Sequence, residues 1–199
     1  MTGTDRAPAR LVLLRHAVQA EAGERCTGRG GVFDPGLDAL GREQMAAAVQ
    51  RLGREFDQVV SSPARRARET VAAWGLPVEL DDRLAERSFG EWEGRRWVEL
   101  WPQVPAEVLA SREAYAAFTP PGGEPYETVA ARVREALHDL TAVPGRRTLA
   151  GTHAGPLRLA VGAALGLPPA VALTLGAGYA RAAVLDRHGD RWVLDALNC

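Results

Sequence analysis

The run Leu11-Val12-Leu13-Leu14-Arg15-His16 decides the fold. Four consecutive apolar residues suit a short strand buried on both faces, the habit of parallel strands in α/β proteins. The run then enters an arginine and a histidine, residue types that a buried strand otherwise avoids. Ligands of open α/β sheets bind at the carboxyl ends of strands. An Arg-His pair at such an end can hold an anion and supply a nucleophile or a base. On this dipeptide alone, a satisfied histidine beside a surface arginine carries equal weight.

Working outward, strand and helix patterns alternate. A polar, Gly-rich loop over 23–36 follows the first strand, and Asp38 is positioned as the N-cap of a helix. Leu37, Leu40, Met45, Val49 and Leu52 form that helix's expected core stripe, with Gly53 at its C-terminus. A second strand is expected over 56–61. Ser62 as N-cap and Pro63 at the first helical position would then open the next helix, with Ala64, Ala67, Val71 and Trp74 facing the core. Gly75 ends it, and a third strand is expected over 78–80. Residues 81–126 break the pattern with tryptophans, phenylalanines and five prolines, which reads as a helical flap over one end of the sheet. Its aromatics are expected to pack on each other as a satellite core.

An amphipathic helix over 128–140 carries Val129, Val133, Ala136, Leu137 and Leu140 on one face. A strand over 147–151 leads to Thr152-His153, and a helix over 154–165 stops at Gly166 and Pro168. Two closing strands, 179–186 and 191–197, are joined by His188-Gly189-Asp190 as a hairpin. The fold class is therefore α/β, a three-layer α/β/α sandwich on a mostly parallel central sheet with an antiparallel edge.

Composition narrows the chemistry. With 199 residues, 46% of them hydrophobic, and a net charge of −1, the chain fits one soluble globular domain without a field for nucleic acid or an anionic membrane. All 24 basic residues are arginine, which excludes Schiff-base and P-loop lysine chemistry. Cys26 and Cys199 have no zinc or CxxC spacing and read as free thiols. Residues 1–9 lack the apolar stretch of a secretory signal, so a cytoplasmic location is expected. The apolar segment 165–175 would suit a homodimer interface.

Two strands end alike, in Arg15-His16 and in Thr152-His153, and each parallel strand would bring its histidine to the same sheet edge. The following helices would point their positive N-termini there too. The helix after Ser61-Ser62-Pro63 adds arginines, and helix angles select Arg66, on the flank of the core face beside Thr70. Arg65 and Arg68 fall to solvent. Two histidines and two arginines at a sheet edge suit a phosphate dianion.

Arg15-His16, the run 61–70 (SSPARRARET), Arg83-Leu84-Ala85-Glu86 followed by Gly90-Glu91-Trp92-Glu93-Gly94, and Thr152-His153 recur in the order of one family. The chain resembles the histidine phosphatase superfamily, with the phosphoglycerate-mutase-like fold. The resemblance implies a domain over 10–199 with the flap at about 82–126 and an N-terminal tail over 1–9. It also implies that His16 takes the phosphoryl group, that Arg15, Arg66 and His153 bind its oxygens, and that Glu86 gives the leaving alcohol its proton. No metal or other cofactor is implied, because arginines and histidines neutralise the charge. His16 must be neutral to attack, and the adjacent arginines should lower its pKa.

The sequence departs from the family pattern at Ala17 (usually Gly), at Gln19 and Ala22 (where Thr and Asn are frequent), at Ala64 (usually Leu) and at Thr152 (usually Ser). None of the five catalytic positions is lost. Cys26-Thr27-Gly28-Arg29, followed by Asp34 and Leu37, resembles a stretch of bacterial α-ribazole phosphatases. That likeness suggests Thr27, Gly28 and Arg29 as substrate contacts and α-ribazole 5′-phosphate as substrate; Ala154, next to His153, is a further expected contact. The alternatives are a broad sugar or nucleotide phosphatase, a phosphoglycerate mutase, or a phospholigand-binding module with little turnover. A metal-dependent hydrolase lacks a ligand motif. In every version the partner is a small phosphomonoester.

Overall fold

A computed structural model describes residues 7–199. The expected tail over 1–9 lies outside the described residues as far as residue 6, and β1 (Ala9–Arg15) begins two residues before the expected strand. Among the described residues the sheet has six strands: β1, β2 (Gln58–Ser61), β3 (Val78–Leu80), β4 (Arg147–Thr152), β5 (Ala182–His188) and β6 (Arg191–Leu197). Their spatial order is β3-β2-β4-β1-β5-β6. β3, β2, β4 and β1 run parallel, and β5 joins β1 antiparallel, with β6 antiparallel at the edge.

Alternation along β1 divides the core. Leu11 and Leu13 face a cluster built by α6 (Tyr126–Leu140), α7 (Ala154–Leu165) and α8 (Pro169–Ala172). Val12 and Leu14 face α1 (Ala39–Leu52), α2 (Arg65–Val71), Phe56 and Trp74 on the opposite side. Each leucine so buried contributes about 1.5–3 kcal/mol. The result is the expected three-layer sandwich.

Local differences from the sequence reading have physical causes. Leu40 is 53% exposed instead of joining the core stripe, because it lies about half a turn out of phase with buried Val49. Gly41 takes the inward place beside it, where a Cβ would collide with the Val18 carbonyl. Asp38 does cap α1, accepting from the Gly41 N–H at 2.7 Å. α2 opens at Arg65, not at Pro63, and Ser62 is not its cap. The carboxylate of Asp34 reaches across from the 23–36 loop and accepts the Arg65 N–H at 3.0 Å. β2 and β5 start later than expected, since Phe56 and Tyr179 precede the paired residues.

The connection from β3 to α6 holds α3 (Trp97–Leu100), α4 (Ala106–Ala110), α5 (Arg112–Ala117) and three 3₁₀ turns. Trp92 and Leu100 are buried there with Cys26, and Phe89, Trp97, Val104 and Phe118 pack around them. The aromatics of this segment thus stabilise it by packing on each other. Trp74 belongs instead to the sheet core, edge-on to Phe56. Burial pushes the Cys26 thiol up to about 12, so it packs as a neutral apolar group. Among the described residues, no helix is long and apolar enough to cross a membrane.

Candidate active site

Register builds the site. Arg15 pairs with Thr152 across the parallel β1–β4 ladder, so His16 and His153 leave adjacent strands at the same level. The His16 N–H donates to the Thr152 carbonyl at 2.9 Å, and the Ser62 N–H donates to the Gly151 carbonyl at 2.8 Å. Gly151 is required for this close approach, because a Cβ there would stand 2.6 Å from a methyl carbon of Val71 on α2. The two imidazole centroids are 5.1 Å apart, and both rings are buried.

The hydrogen bonds fix both tautomers. Arg66 Nε donates to His16 Nε2 at 3.4 Å, so the ring proton of His16 sits on Nδ1 and goes to the Ala17 carbonyl at 2.9 Å. Arg66 Nη2 lies 3.1 Å from His153 Nδ1. A guanidinium can only donate, so the His153 proton sits on Nε2 and goes to Ser62 Oγ at 2.8 Å. Burial, with Arg66 and Arg15 behind it, holds the His16 pKa well below its ordinary value. Burial and Arg66 do the same to His153. Both rings are neutral.

Arg66 is 1% exposed, as the helix angles predict, while Arg65 and Arg68 are exposed. Besides His153, Nη2 donates to the Gly28 carbonyl at 2.7 Å; Nη1 makes no hydrogen bond among the described residues, and Asp34 is 3.7 Å from it. Arg15 donates from Nη1 to the Ala177 carbonyl at 2.6 Å, its Cζ lies 3.7 Å from the Tyr179 ring centroid, and its buried Nε has no partner among the described residues. Burial depresses the pKa of both guanidiniums. A half-buried and a buried cation with unspent donors, approached by one carboxylate only at 3.7 Å, are costly alone. The pocket is set up to gain from an anion.

Glu86 closes the opposite wall. One carboxylate oxygen accepts the Arg87 N–H at 2.9 Å, and the other accepts the Gly155 N–H, at the N-terminus of α7, at 3.4 Å. A Cβ on Gly155 would come within 2.5 Å of the Glu86 carboxylate. The five predicted residues, Arg15, His16, Arg66, Glu86 and His153, therefore converge. The expected substrate contacts are more mixed. Gly28 is buried and lends its carbonyl to Arg66. The Thr27 hydroxyl faces Gln19 at 3.4 Å, Arg29 is exposed and 3.8 Å from Glu124, and half-buried Ala154 opens α7.

Sequence reasoning missed Ser62, Gly155 and Tyr179. Ser62 was assigned to a helix cap, whereas its hydroxyl serves His153. Tyr179 precedes β5, and an antiparallel strand beside β1 starts at the edge where β1 ends. That topology was the available signal. The hydroxyl of Thr152, the substitute for the usual serine, is bonded to the Leu84 carbonyl at 2.7 Å, tying β4 to the Glu86 segment. Ala17 fits its buried place and donates to Thr70 Oγ1 at 3.0 Å.

A pair of buried neutral histidines flanked by two underused arginines at a parallel sheet edge suits an anion. The chain belongs to the histidine phosphatase superfamily (branch 1), whose family model matches residues 11–199. It is 35% identical to glucosyl-3-phosphoglycerate phosphatase of Mycobacterium tuberculosis over 95% of this chain and 94% of that protein. A solved structure of the mycobacterial enzyme with VO3 superimposes with a TM-score of 0.83 at 36% identity, covering 96% of this chain and 98% of that one. α-Ribazole phosphatase from Shigella flexneri has a TM-score of 0.81 at 25% identity, with 96% of each chain covered. A bifunctional protein of M. tuberculosis is 34% identical over 95% of this chain, which spans about half its length (53%).

Proposed function

We propose that the chain is a phosphomonoesterase working through a phosphohistidine at Nε2 of His16. The observation that carries this reading is the tautomer of His16: Nδ1–H is spent on the Ala17 carbonyl, which leaves the Nε2 lone pair facing the arginine-lined pocket. Phosphoryl transfer asks for an in-line nucleophile, neutralised equatorial oxygens and a proton for the departing oxygen. His16 Nε2 bonds to phosphorus as the ester P–O bond breaks. The free N–H groups of Arg15 and Arg66 receive the equatorial oxygens, and Glu86 delivers the proton to the leaving alcohol. In the second displacement Glu86 takes a proton from water, whose oxygen releases phosphate from His16.

His153 enters with both ring nitrogens engaged by Ser62 and Arg66. A dianion beside it favours its protonated form: Nδ1, which accepts from Arg66 in the neutral ring, takes up a proton and donates to the phosphoryl group. Charge neutralisation by the protein's own cations makes turnover independent of an added metal.

For the substrate we propose a phosphate ester of a polar, hydroxylated or acidic alcohol. Glucosyl-3-phosphoglycerate is the first candidate, supported by the near-full-length 35% identity to an enzyme of that name. The 26–29 stretch supports α-ribazole 5′-phosphate as the second. The test compares kcat/KM in the presence of EDTA for these two, phosphoserine, 3-phosphoglycerate, sugar phosphates and nucleotides. The glucosylated ester should lead by at least tenfold. Loss of all turnover in EDTA, restored by a divalent cation, would overturn the mechanism.

A further inference from the structure

The strands position His16 and His153, but no ladder positions Glu86. Its segment passes from a 3₁₀ turn at Asp82–Leu84 into extended backbone at Ala85, so its main-chain carbonyls must find partners elsewhere. They find one side chain. From α6, Arg132 Nη1 donates to the carbonyls of Arg83 and Ala85, both at 2.7 Å, and Nη2 donates to that of Glu86 at 3.2 Å. Nε and Nη2 also donate to the two carboxylate oxygens of Glu124, each at 2.9 Å. Glu124 in turn accepts the Ser88 N–H at 3.3 Å.

These contacts use all five N–H donors of a guanidinium. The side chains of Arg132 and Glu124 are 12% and 11% exposed, so water competes weakly for them. Burial opposes ionisation of Glu124, but the bonds and charge of Arg132 prevail and keep its carboxyl below the usual range. Neither side chain touches the histidines or the phosphoryl pocket.

We propose that the Arg132–Glu124 pair is the positioning device of the reaction's proton donor: Arg132 gathers three carbonyls around Glu86, and Glu124 orients Arg132 while holding Ser88. The inference rests on the reading of Glu86 as the group that protonates the leaving alcohol. It predicts a signature different from simple loss of structure. A displaced Glu86 harms esters of poorly acidic alcohols, which need the proton, and spares esters whose leaving group departs as a stable anion. Lysine cannot replace Arg132, having three donors and no planar fork.

The experiment measures kcat/KM, which covers formation of the phosphoenzyme, for β-glycerol phosphate and for 2,4-dinitrophenyl phosphate. Glu86→Gln should lose on the order of 10³-fold on the first and less than about tenfold on the second. Arg132→Met should lose on the order of 10²-fold on the first, the cost of a misplaced group, and less than about fivefold on the second. Arg132→Lys should fall between Arg132→Met and wild type. If Arg132→Met does not fold, Glu124→Gln carries the same comparison with a smaller split in the same direction. Equal losses on both esters, or no loss in a folded variant, overturn the positioning role while leaving Glu86 in place. No split in Glu86→Gln overturns the reading of Glu86 itself, and the positioning claim with it.

Discussion

The two walls of the site are built on opposite electrostatic plans. On the sheet side, half-buried Arg15 and buried Arg66 keep unspent N–H groups among the described residues, with only the long 3.7 Å contact from Asp34 to Arg66, so positive charge is left over for a ligand. On the Glu86 side, Arg132 and Glu124 satisfy each other, and their remaining bonds go to backbone. The first wall is held by β-ladder register and stores unsatisfied charge. The second is held by a closed ion pair and stores none. A cationic cradle and a separately anchored carboxylate suit the proposed reaction with two displacements, because the proton exchanged with the alcohol and then with water is handled apart from the groups that bind the phosphoryl oxygens.

The largest effect should come from removing the proposed nucleophile. His16→Ala is expected to lower phosphate release by a factor on the order of 10⁴ or more, while leaving the fold in place by circular dichroism; appreciable remaining turnover would remove the distinction between the walls. Arg66→Met sharpens it. Losing a donor aimed at the developing charge should cost about 10²–10³ in kcat/KM, yet thermal stability should hold or rise, because a buried cation whose counterion stands off at 3.7 Å is costly. The matching variant on the other wall, Arg132→Met, should lower the melting temperature, since it leaves buried Glu124 uncompensated.

Much of the sheet wall was legible because it rests on patterns with a fixed period. The apolar run before Arg15-His16, the second strand ending at His153 and the helix angle of Arg66 are each local, and register then brings them together. The bounds of α7 could be read for the same reason, from Pro156 near its start and Gly166 at its end. The Glu86 wall is held by side chain to main chain bonds from a helix more than 40 positions away. No periodicity reports such bonds, so Arg132 and Glu124 read as ordinary charged residues of an amphipathic helix and its approach. The start of α2 was misjudged for a related reason, since its capping carboxylate, Asp34, comes from another loop. Leu40 shows the opposite failure, an apolar residue assigned to a stripe from which its phase excludes it.

Smaller effects probe the seam between the walls. Gly155→Ala should push against the Glu86 carboxylate and reduce kcat/KM for alkyl esters about tenfold or more, with a lesser loss on dinitrophenyl phosphate. The pH dependence of stability tests the sheet side alone. His16 and His153 have folded-state pKa values below the unfolded value, so their contribution is complete above about pH 6.5. As pH falls below that, the unfolded chain takes up protons first and stability declines, by up to about 1.4 kcal/mol per pH unit for each ring. Urea unfolding between pH 7.5 and 5 should show this slope, and His153→Gln should reduce it. The smallest effect belongs to Arg29→Ala. Its long 3.8 Å contact with Glu124, made from an exposed guanidinium, should be worth no more than about 0.5 kcal/mol in unfolding free energy.

The central claim is that His16 Nε2 carries the phosphoryl group between the two displacements. It is tested most directly by rapid quenching with a ³²P-labelled aryl phosphate, followed by isolation of the labelled peptide. The account predicts an acid-labile, base-stable label on the peptide containing His16, substituted at Nε2 and absent from His16→Ala. A label on another residue, or undiminished labelling of His16→Ala, would contradict it.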